Sequence, residues 1–518
     1  MEFLKENIRK SESLGRAFSQ LAIDDDFIIP DTKVDAVRII HTVGELFLEE
    51  TSVNNQSVWM KGKLAFSVLY RSDRSDKKLE VLVGSLPFQE KLNMDGVEDM
   101  TPLQMGGRLE DLSINLINSR KLGIRAVLEI EAVAKSSVEE EIVTGLCENK
   151  QYEQKLRTQE LLDLIGTKKD VLRVKEEVAL PSVKPDIHKI LWKCVQPINL
   201  ESTVMESALR ITGELRVGIL YSSQSVGELQ WFENTVAVRG EIPWEGCHRE
   251  DLIWVNYGNI TCDLEPRNDY DGEAKILGVE CAIELELKAW REKQISMLMD
   301  VFALDKELKL QTESRVYQKL RMTNHAKLRI SEQVLLEKGQ ENIMQLCMSQ
   351  GRIQVDDMCM TGDGVQVEGL LVVDLLYVTG NDNYPIDHHR AAFPFSQLIE
   401  ISGANENTEF ELNTTMEQLN VNLLDNSEYE VKAVVGLHVM AVDHIQCQAI
   451  LSATECEPDL ESLAKQPGII GYVVREEEEL WDIAKRYHTT VAELMETNGL
   501  QGENVEAGKK LLIVKQVG

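Results

Sequence analysis

A stretch of nine residues occurs three times in this chain, and the repetition limits the fold more than any other feature. Each copy begins with glycine, has leucine two positions later, and ends in an aliphatic residue, leucine and tyrosine, at residues 62–70, 213–221 and 369–377. The spacing of about 150 residues is the size of a whole domain, far longer than the roughly 20–50 residues of a solenoid repeat. The chain therefore predicts one β-rich domain used three times.

Other landmarks follow in the same order. A proline and an aromatic residue come after each tyrosine, at positions 87–88, 243–244 and 394–395. Residues 30–35 and 181–186 share the pattern Pro-x-x-Lys-x-Asp, but the third copy has Glu337 and Asn342 where proline and aspartate are expected. The third copy has therefore diverged upstream of its glycine.

The repeated stretch carries residues with structural interpretations. A tyrosine at a strand end buries its ring and leaves its hydroxyl near the rim. We therefore interpret Tyr70, Tyr221 and Tyr377 as core residues rather than catalytic ones. Glycine inside a strand indicates a bulge or a close approach of another backbone, and this is the interpretation of the three repeat glycines.

The landmarks divide the chain into domains and connections. The repeats are predicted at residues 23–148, 171–305 and 328–455. Residues 1–22 carry apolar side chains at about helical spacing and predict an amphipathic helix packed on the first repeat. The segments before the second and third repeats are predicted connectors, each with a strand as one alternative, at 149–170 and 306–327. Residues 456–469 contain two prolines and a glycine and are the predicted linker.

Composition excludes several classes of function. The net charge of −32 argues against a nucleic-acid partner, because binding phosphates requires clustered lysine and arginine. Nine cysteines without a C-x-x-C pair predict reduced, mostly buried thiols rather than a disulfide framework. The charged N-terminus predicts no signal peptide, and the absence of an apolar run of roughly 18 residues predicts no transmembrane segment.

The pattern changes in the C-terminal module, predicted at residues 470–518. A short strand is followed by apolar residues at helical spacing, namely Leu480, Ile483, Ala484 and Tyr487. Thr490 and Glu493 form a capping box that begins a second helix, and Gly499 ends it. Residues 510–514 complete a predicted βααβ fold.

These residues resemble a LysM module over segments 472–474, 479–487, 490–500 and 505–511. Members of that family bind N-acetylglucosamine-containing glycans through two loops, which usually read Gly-Asp-Thr and Pro-Gly-Gln. Here both loops depart from those sequences and carry charged residues. The predicted surface for a glycan or a protein partner comprises Glu477, Glu478, Glu479, Leu480, Trp481, Asn498, Ala507, Gly508 and Lys509. Residues 476–479 are interpreted either as a solvated acidic face or as a docking patch for a basic protein.

The three repeats resemble the SPOCS domains of spore-coat proteins, through the Pro-x-x-Lys-x-Asp segments, the strands that run from glycine to tyrosine, and the proline–aromatic pairs. Three such domains followed by one LysM module resemble SipL-like spore coat morphogenetic proteins of endospore-forming Clostridia. The expected fold class is therefore mainly β, with three SPOCS-like repeats and a small βααβ module. The resemblance implies a location in the mother-cell cytoplasm at the forespore surface, where the LysM module binds the coat-basement ATPase SpoIVA.

The sequence carries no recognised catalytic motif. No phosphate loop, nucleophile elbow or H-E-x-x-H motif occurs. Asp387, His388 and His389 form the densest metal-like cluster, which we interpret as a surface loop because no third ligand follows at a suitable spacing. We therefore expect a non-enzymatic scaffold without a cofactor or metal, with other coat proteins as further candidate partners. The alternative is a protein that binds peptidoglycan of the cortex or cell wall.

Overall fold

The computed structural model describes residues 2–54, 56–74, 78–98, 101–147, 152–223, 229–457 and 467–514. They form three units of six strands each, followed by the C-terminal module. In the first unit β1 to β6 are Phe3–Ile28, Ala36–Asn54, Ser57–Ser72, Leu79–Asn93, Leu103–Asn118 and Lys121–Leu146. In the second unit β7 to β12 are Glu153–Ala179, Lys189–Met205, Ala208–Ser222, Leu229–Pro243, Leu252–Arg267 and Ile276–Phe302. In the third unit β13 to β18 are Glu307–Leu335, Ile343–Thr361, Gly364–Thr379, Ile386–Glu400, Thr408–Leu423 and Glu428–Cys456.

The three units have the same topology. Each contains two three-stranded antiparallel sheets: one places the sixth strand of the unit between the first and the fifth, and the other places the third strand between the second and the fourth. The repeated stretch forms this third strand, namely β3, β9 and β15. The prediction of a mainly-β protein with three repeated domains is therefore confirmed.

The predicted N-terminal helix at 1–22 is wrong. Residues from Phe3 onward form β1, which pairs with β6 from Phe3–Leu146 to Ile28–Lys121. A register shift between Ser13 and Gly15 leaves Leu14 as an extra residue in β1 and interrupts the alternation of the strand there. Pairing with a long neighbouring strand decided the conformation, since local spacing alone is a weak signal.

The two predicted connectors also lie largely in strands. Residues 153–170 belong to β7, and 307–327 belong to β13, which pair along their lengths with β12 and β18. The outer parts of these paired strands and of β1 and β6 pack together, with Ile8, Leu161, Ile295 and Tyr317 in one buried cluster. All three units are thus joined by an apolar contact. Most of the predicted linker, residues 458–466, lies outside the described residues.

The repeat glycines face bulges. Gly62, Gly213 and Gly369 each lie opposite a register shift in the preceding strand of the sheet. A Cβ atom on Gly62 or Gly369 would collide with a backbone carbonyl of that strand and with the ring of Phe88 or Phe395. The glycines therefore mark both a bulge and a close approach, as their position in the sequence indicated.

The repeat tyrosines explain the Pro-x-x-Lys-x-Asp pattern. Tyr70 and Tyr221 are buried, and their hydroxyls donate to the carbonyls of Val34 and Pro185 at 3.0 and 3.2 Å, in equivalent positions of that pattern. Burial raises the pKa of both tyrosines to about 12. The third copy lacks the pattern, and the buried hydroxyl of Tyr377 has no hydrogen-bond partner among the described residues. The prediction that the tyrosines are core residues is confirmed.

One of the proposed repeat landmarks is misaligned. Phe88 and Phe395 lie opposite the repeat glycines, on β4 and β16, but the residue opposite Gly213 on β10 is Val238. Pro243 and Trp244 lie at the end of β10 and do not correspond to the other two pairs. Pro87 and Pro394 lie on outer strands of their sheets, where proline is tolerated and discourages pairing with another chain.

The expectation that all cysteines are reduced is wrong for one pair. Cys262 on β11 and Cys281 on β12 are cross-strand partners with Cα atoms 4.1 Å apart, and they form a disulfide. Strand register brings them together, and a search for C-x-x-C spacing cannot detect register. Several other cysteines are free and buried, and burial raises the pKa of Cys194 and of Cys347 to about 12.

Candidate functional site

The C-terminal module has the predicted βααβ order. Its elements are β19 at Ile469–Val473, α1 at Leu480–Tyr487, α2 at Val491–Asn498 and β20 at Lys510–Val514, and β19 pairs antiparallel with β20. Its buried core contains Leu480, Ile483, Leu494, Leu511 and Ile513. No helix in the described part of the chain is long and apolar enough to cross a membrane.

Both helices begin with reciprocal side-chain caps. The amide of Glu493 donates to the Thr490 hydroxyl at 3.0 Å, while the Glu493 carboxylate accepts from the Thr490 amide. Glu479 and Asp482 form the corresponding capping box of α1, in which the Glu479 amide donates to the Asp482 carboxylate at 3.3 Å. Gly499 ends α2 with a φ of 61°. The capping box and the glycine stop predicted for α2 are confirmed, and the module has the local signals for both helices in its own sequence.

The glutamates at 476–479 do not form one free acidic patch. The side chain of Glu478 is only 8% exposed; its carboxylate accepts from the Tyr472 hydroxyl at 2.8 Å and pairs with Arg486. Burial alone would raise the pKa of Glu478, but these contacts hold it below its usual value. Glu478 is thus part of the module's internal structure, while Glu476 and Glu477 are exposed.

Glu477 keeps the backbone conformation of a glycine. Its φ is +62°, in the left-handed region that disfavours side chains with a Cβ atom. The resemblance places a glycine at this position of the first loop. The loop shape is therefore retained, although a long acidic side chain now projects from it.

Trp481 is committed to a contact within the chain. It is 9% exposed, its Nε1–H donates to Asp300 Oδ2 at 2.8 Å, and its ring meets that of Phe302 edge to face. Lys485 also pairs with Asp300, at 2.7 Å. Trp481 therefore anchors the module against the end of β12, which corrects its assignment to a free partner surface.

Two more predicted surface residues have other roles. Glu479 caps α1 and pairs with Lys155 of β7, and Leu480 is 1% exposed in the module core. Neither Asp300 nor Lys155 carries a local sequence signal, because each lies far from the module in the chain. Sequence reasoning therefore missed this docking contact.

Asn498 ties the second helix to the closing strand. Its side-chain amide donates to the carbonyls of Leu494 and Leu512, and its oxygen accepts from the Leu512 amide. These bonds give Asn498 a structural role, and its side chain is half-exposed.

The second loop is exposed and lies against the first. Ala507, Gly508 and Lys509 are exposed, and the Gly508 amide donates to the Val474 carbonyl at 2.8 Å. Gly508 has a φ of +86°, which favours glycine there. We call Glu476, Glu477, Ala507, Gly508 and Lys509 the loop pair; all five residues are exposed.

The cluster at 387–389 lies on a strand, which corrects its interpretation as a surface loop. All three residues belong to β16. Asp387 is buried and pairs with Arg38 of the first unit at 3.0 Å, and His389 contacts the Tyr429 hydroxyl at 2.6 Å. Of these three residues, only His388 is hydrogen-bonded to another side chain that could bind a metal: its Nε2 lies 2.8 Å from Asp374 Oδ1.

Comparison with known protein families gives two matches. The family described as SipL, SPOCS domain matches residues 35–117, 186–283 and 342–424. The LysM domain family matches residues 472–514. The comparisons with curated proteins and with solved structures gave no match. The three matched SPOCS segments fall within the three units, and the LysM segment covers the C-terminal module.

Proposed function

This chain belongs to the SipL family of SPOCS-domain proteins and ends in a LysM domain, and from that premise we propose that it is a non-enzymatic adaptor in spore coat assembly. Both domain types are non-catalytic binding modules, which fits a sporulation-related binding protein. We further propose that the LysM module binds a coat-basement ATPase resembling SpoIVA. The site of action is then the mother-cell cytoplasm at the forespore surface.

The observation that carries the proposal is the chemistry of the loop pair. Glu476, Glu477 and Lys509 are exposed on the two loops, and Glu477 and Lys509 stand where the family usually has glycine and glutamine. A neutral sugar gains little from exposed carboxylates, which must be desolvated on contact. A partner surface with lysine or arginine would instead be attracted to Glu476 and Glu477, with the main effect on association rate and specificity.

The three units support the role of a scaffold. Their shared landmarks are used in folding: the glycines allow bulges, and the tyrosines of the first two copies hold a turn. Contacts also run between all pairs of units, from Asn259 to Leu46, from Asn413 to Val255 and from Arg108 to Val355. The units therefore form a connected body that can display the module and offer further surfaces to other coat proteins.

The test is calorimetry of the full chain with a purified SpoIVA-like ATPase. Reversing the charges with Glu476→Lys and Glu477→Lys should weaken binding by about 1–2 kcal/mol, as expected for exposed charges at an interface rim. Glu496→Lys is the matched control, because Glu496 is an exposed glutamate of the same module on α2. Equal affinities for the double variant and the control would remove the loop pair from the interface.

Glycan binding is the second candidate. It is favoured by the retained loop backbone, with a positive φ at both Glu477 and Gly508, since the family's loops approach the sugar through their main chain. Titration of the same protein with chitin oligomers and peptidoglycan fragments distinguishes the two functions. Tight oligomer binding without binding of the ATPase would make this candidate the correct one.

A further inference from the structure

Two histidines lie in an otherwise largely apolar cluster where the three units meet. The leucine of each repeated stretch, at 69, 220 and 376, has one cross-strand partner on each side. These partners are His41 and Val81 in the first unit, Trp192 and Trp231 in the second, and Met348 and His388 in the third. Histidine thus occupies two positions that the other units fill with apolar side chains.

The two histidines come from different units and contact each other. His41 is 5% exposed, and its ring is stacked on that of His388 with the centroids 4.0 Å apart. Nδ1 of His41 is buried without a hydrogen-bond partner among the described residues. A buried, unsatisfied polar atom costs about 1–3 kcal/mol, so its presence in an apolar cluster requires an explanation.

A carboxylate completes the group. Asp374 Oδ1 lies 2.8 Å from Nε2 of His388 and also accepts from Nε of Arg390 at 2.7 Å. The ligand atoms of His41, His388 and Asp374 all lie within 4.8 Å of one another. Asp374 lies five residues after the repeat glycine, and the equivalent position holds Ser67 in the first unit and Gly218 in the second, so the carboxylate is peculiar to the third unit.

We propose that His41, His388 and Asp374 bind a transition-metal ion that joins the first unit to the third. Two imidazoles and one carboxylate are a ligand set suited to zinc and its neighbours, with a further position for water. Ligand atoms around tetrahedral zinc, with bonds of about 2.0–2.1 Å, lie about 3.3 Å apart. Asp374 and His388, now 2.8 Å apart, must therefore separate slightly to admit the ion, and a rotation of the His41 side chain must bring its ligand nitrogen to the tetrahedral spacing.

The surroundings select the class of metal. Arg390 already neutralises the charge of Asp374 and would orient the carboxylate from outside the ligand set. Calcium and magnesium prefer several oxygen ligands, and this group offers one carboxylate. The ion expected here is one that prefers imidazole, such as Zn²⁺ or Co²⁺.

Metal content and cobalt spectroscopy of the full chain test the proposal. The protein is prepared without a histidine tag, treated with chelator, dialysed and titrated with Zn²⁺ and, separately, Co²⁺. We expect one equivalent of Zn²⁺ per chain and visible absorption of Co²⁺ in a low-coordinate nitrogen and oxygen site. Absence of stoichiometric binding to the wild-type chain, or only the spectrum of hydrated Co²⁺, overturns the proposal without any variant.

Variants then locate the site. His388→Gln and Asp374→Asn should each lower Zn²⁺ affinity at least tenfold, since even loss of an outer-shell partner commonly costs 10–100-fold. His389→Gln is the matched control, because the neighbouring His389 contacts Tyr429 instead of Asp374 and should leave affinity unchanged. Stoichiometric Zn²⁺ binding that survives both ligand substitutions places the ion elsewhere and refutes the assignment. Since the two ligand variants differ in position, failure of one to fold leaves the other as the test.

Discussion

Asp300→Ala should loosen the module from the second unit. Asp300 accepts from Trp481 and from Lys485, while the ring of Phe302 contributes an apolar contact that the substitution leaves in place. A hydrogen bond to a charged group contributes about 1.5–3 kcal/mol, and a partly exposed ion pair adds about 0–1 kcal/mol. The expected loss is therefore about 2–3 kcal/mol, which corresponds to roughly a 30- to 150-fold change in the docking equilibrium.

Hydrogen–deuterium exchange of the full chain measures this effect. Peptides that cover α1 and the end of β12 should exchange faster in Asp300→Ala, while those of β3 should not change, because only the docking contact is weakened. Asp305→Ala is the matched control, since Asp305 is an exposed aspartate close by on the chain. If Asp300→Ala and Asp305→Ala gave the same exchange in α1, Asp300 would not hold the module, and the reasoning from these contacts would be refuted.

Four further predictions concern stability, each measured by denaturant unfolding. Tyr221→Ala should cost about 3–5 kcal/mol as a core truncation. Tyr221→Phe should cost about 1 kcal/mol, because it removes the hydrogen bond to the Pro185 carbonyl. Tyr377→Phe should be neutral or stabilising, because that hydroxyl is unpaired among the described residues. A larger loss for Tyr377→Phe than for Tyr221→Phe would contradict these roles of the two hydroxyls. Glu477→Gly should stabilise the chain by about 1 kcal/mol by relieving the positive φ, and a loss would show that the side chain is needed. Burial and the stacked His325 lower the pKa of His438 to about 4. As the pH falls, His438 therefore takes up a proton in the unfolded chain before it does so in the folded chain. Stability should therefore fall as pH drops from about 6.5 to 4, and His438→Asn should reduce that slope.

The repeats were predictable because their landmarks are local and recur in order. A glycine opposite a bulge and a tyrosine at a strand end are residue types that few other positions require, so Gly62 and Tyr70 could be matched to their equivalents from sequence alone. Register was not predictable in this way. Pro243 was aligned by residue type, but the pairing of Gly213 with Val238 shows a different correspondence.

The candidate site was predictable only in its local parts. The caps at Thr490 and Gly499 are set by neighbours within three or four residues, and sequence pattern detects such signals. The docking of Trp481 on Asp300 joins residues 181 positions apart, so no spacing rule predicts it. The same limit explains the N-terminal strand, whose conformation is decided by β6 rather than by its own residues.

The repeated stretch carries two adjacent residues with different tasks. Tyr70 faces the core of its own unit, among residues such as Val68 and Leu82. The preceding Leu69 faces the opposite side, as successive residues of a strand do, and lies with Leu220 and Leu376 in the cluster shared by the three units. The leucine of the repeat is therefore an inter-unit residue and the tyrosine an intra-unit one. A single dipeptide, used three times, thus stabilises each unit and also the junction between them, which explains why both residues recur in a fixed order.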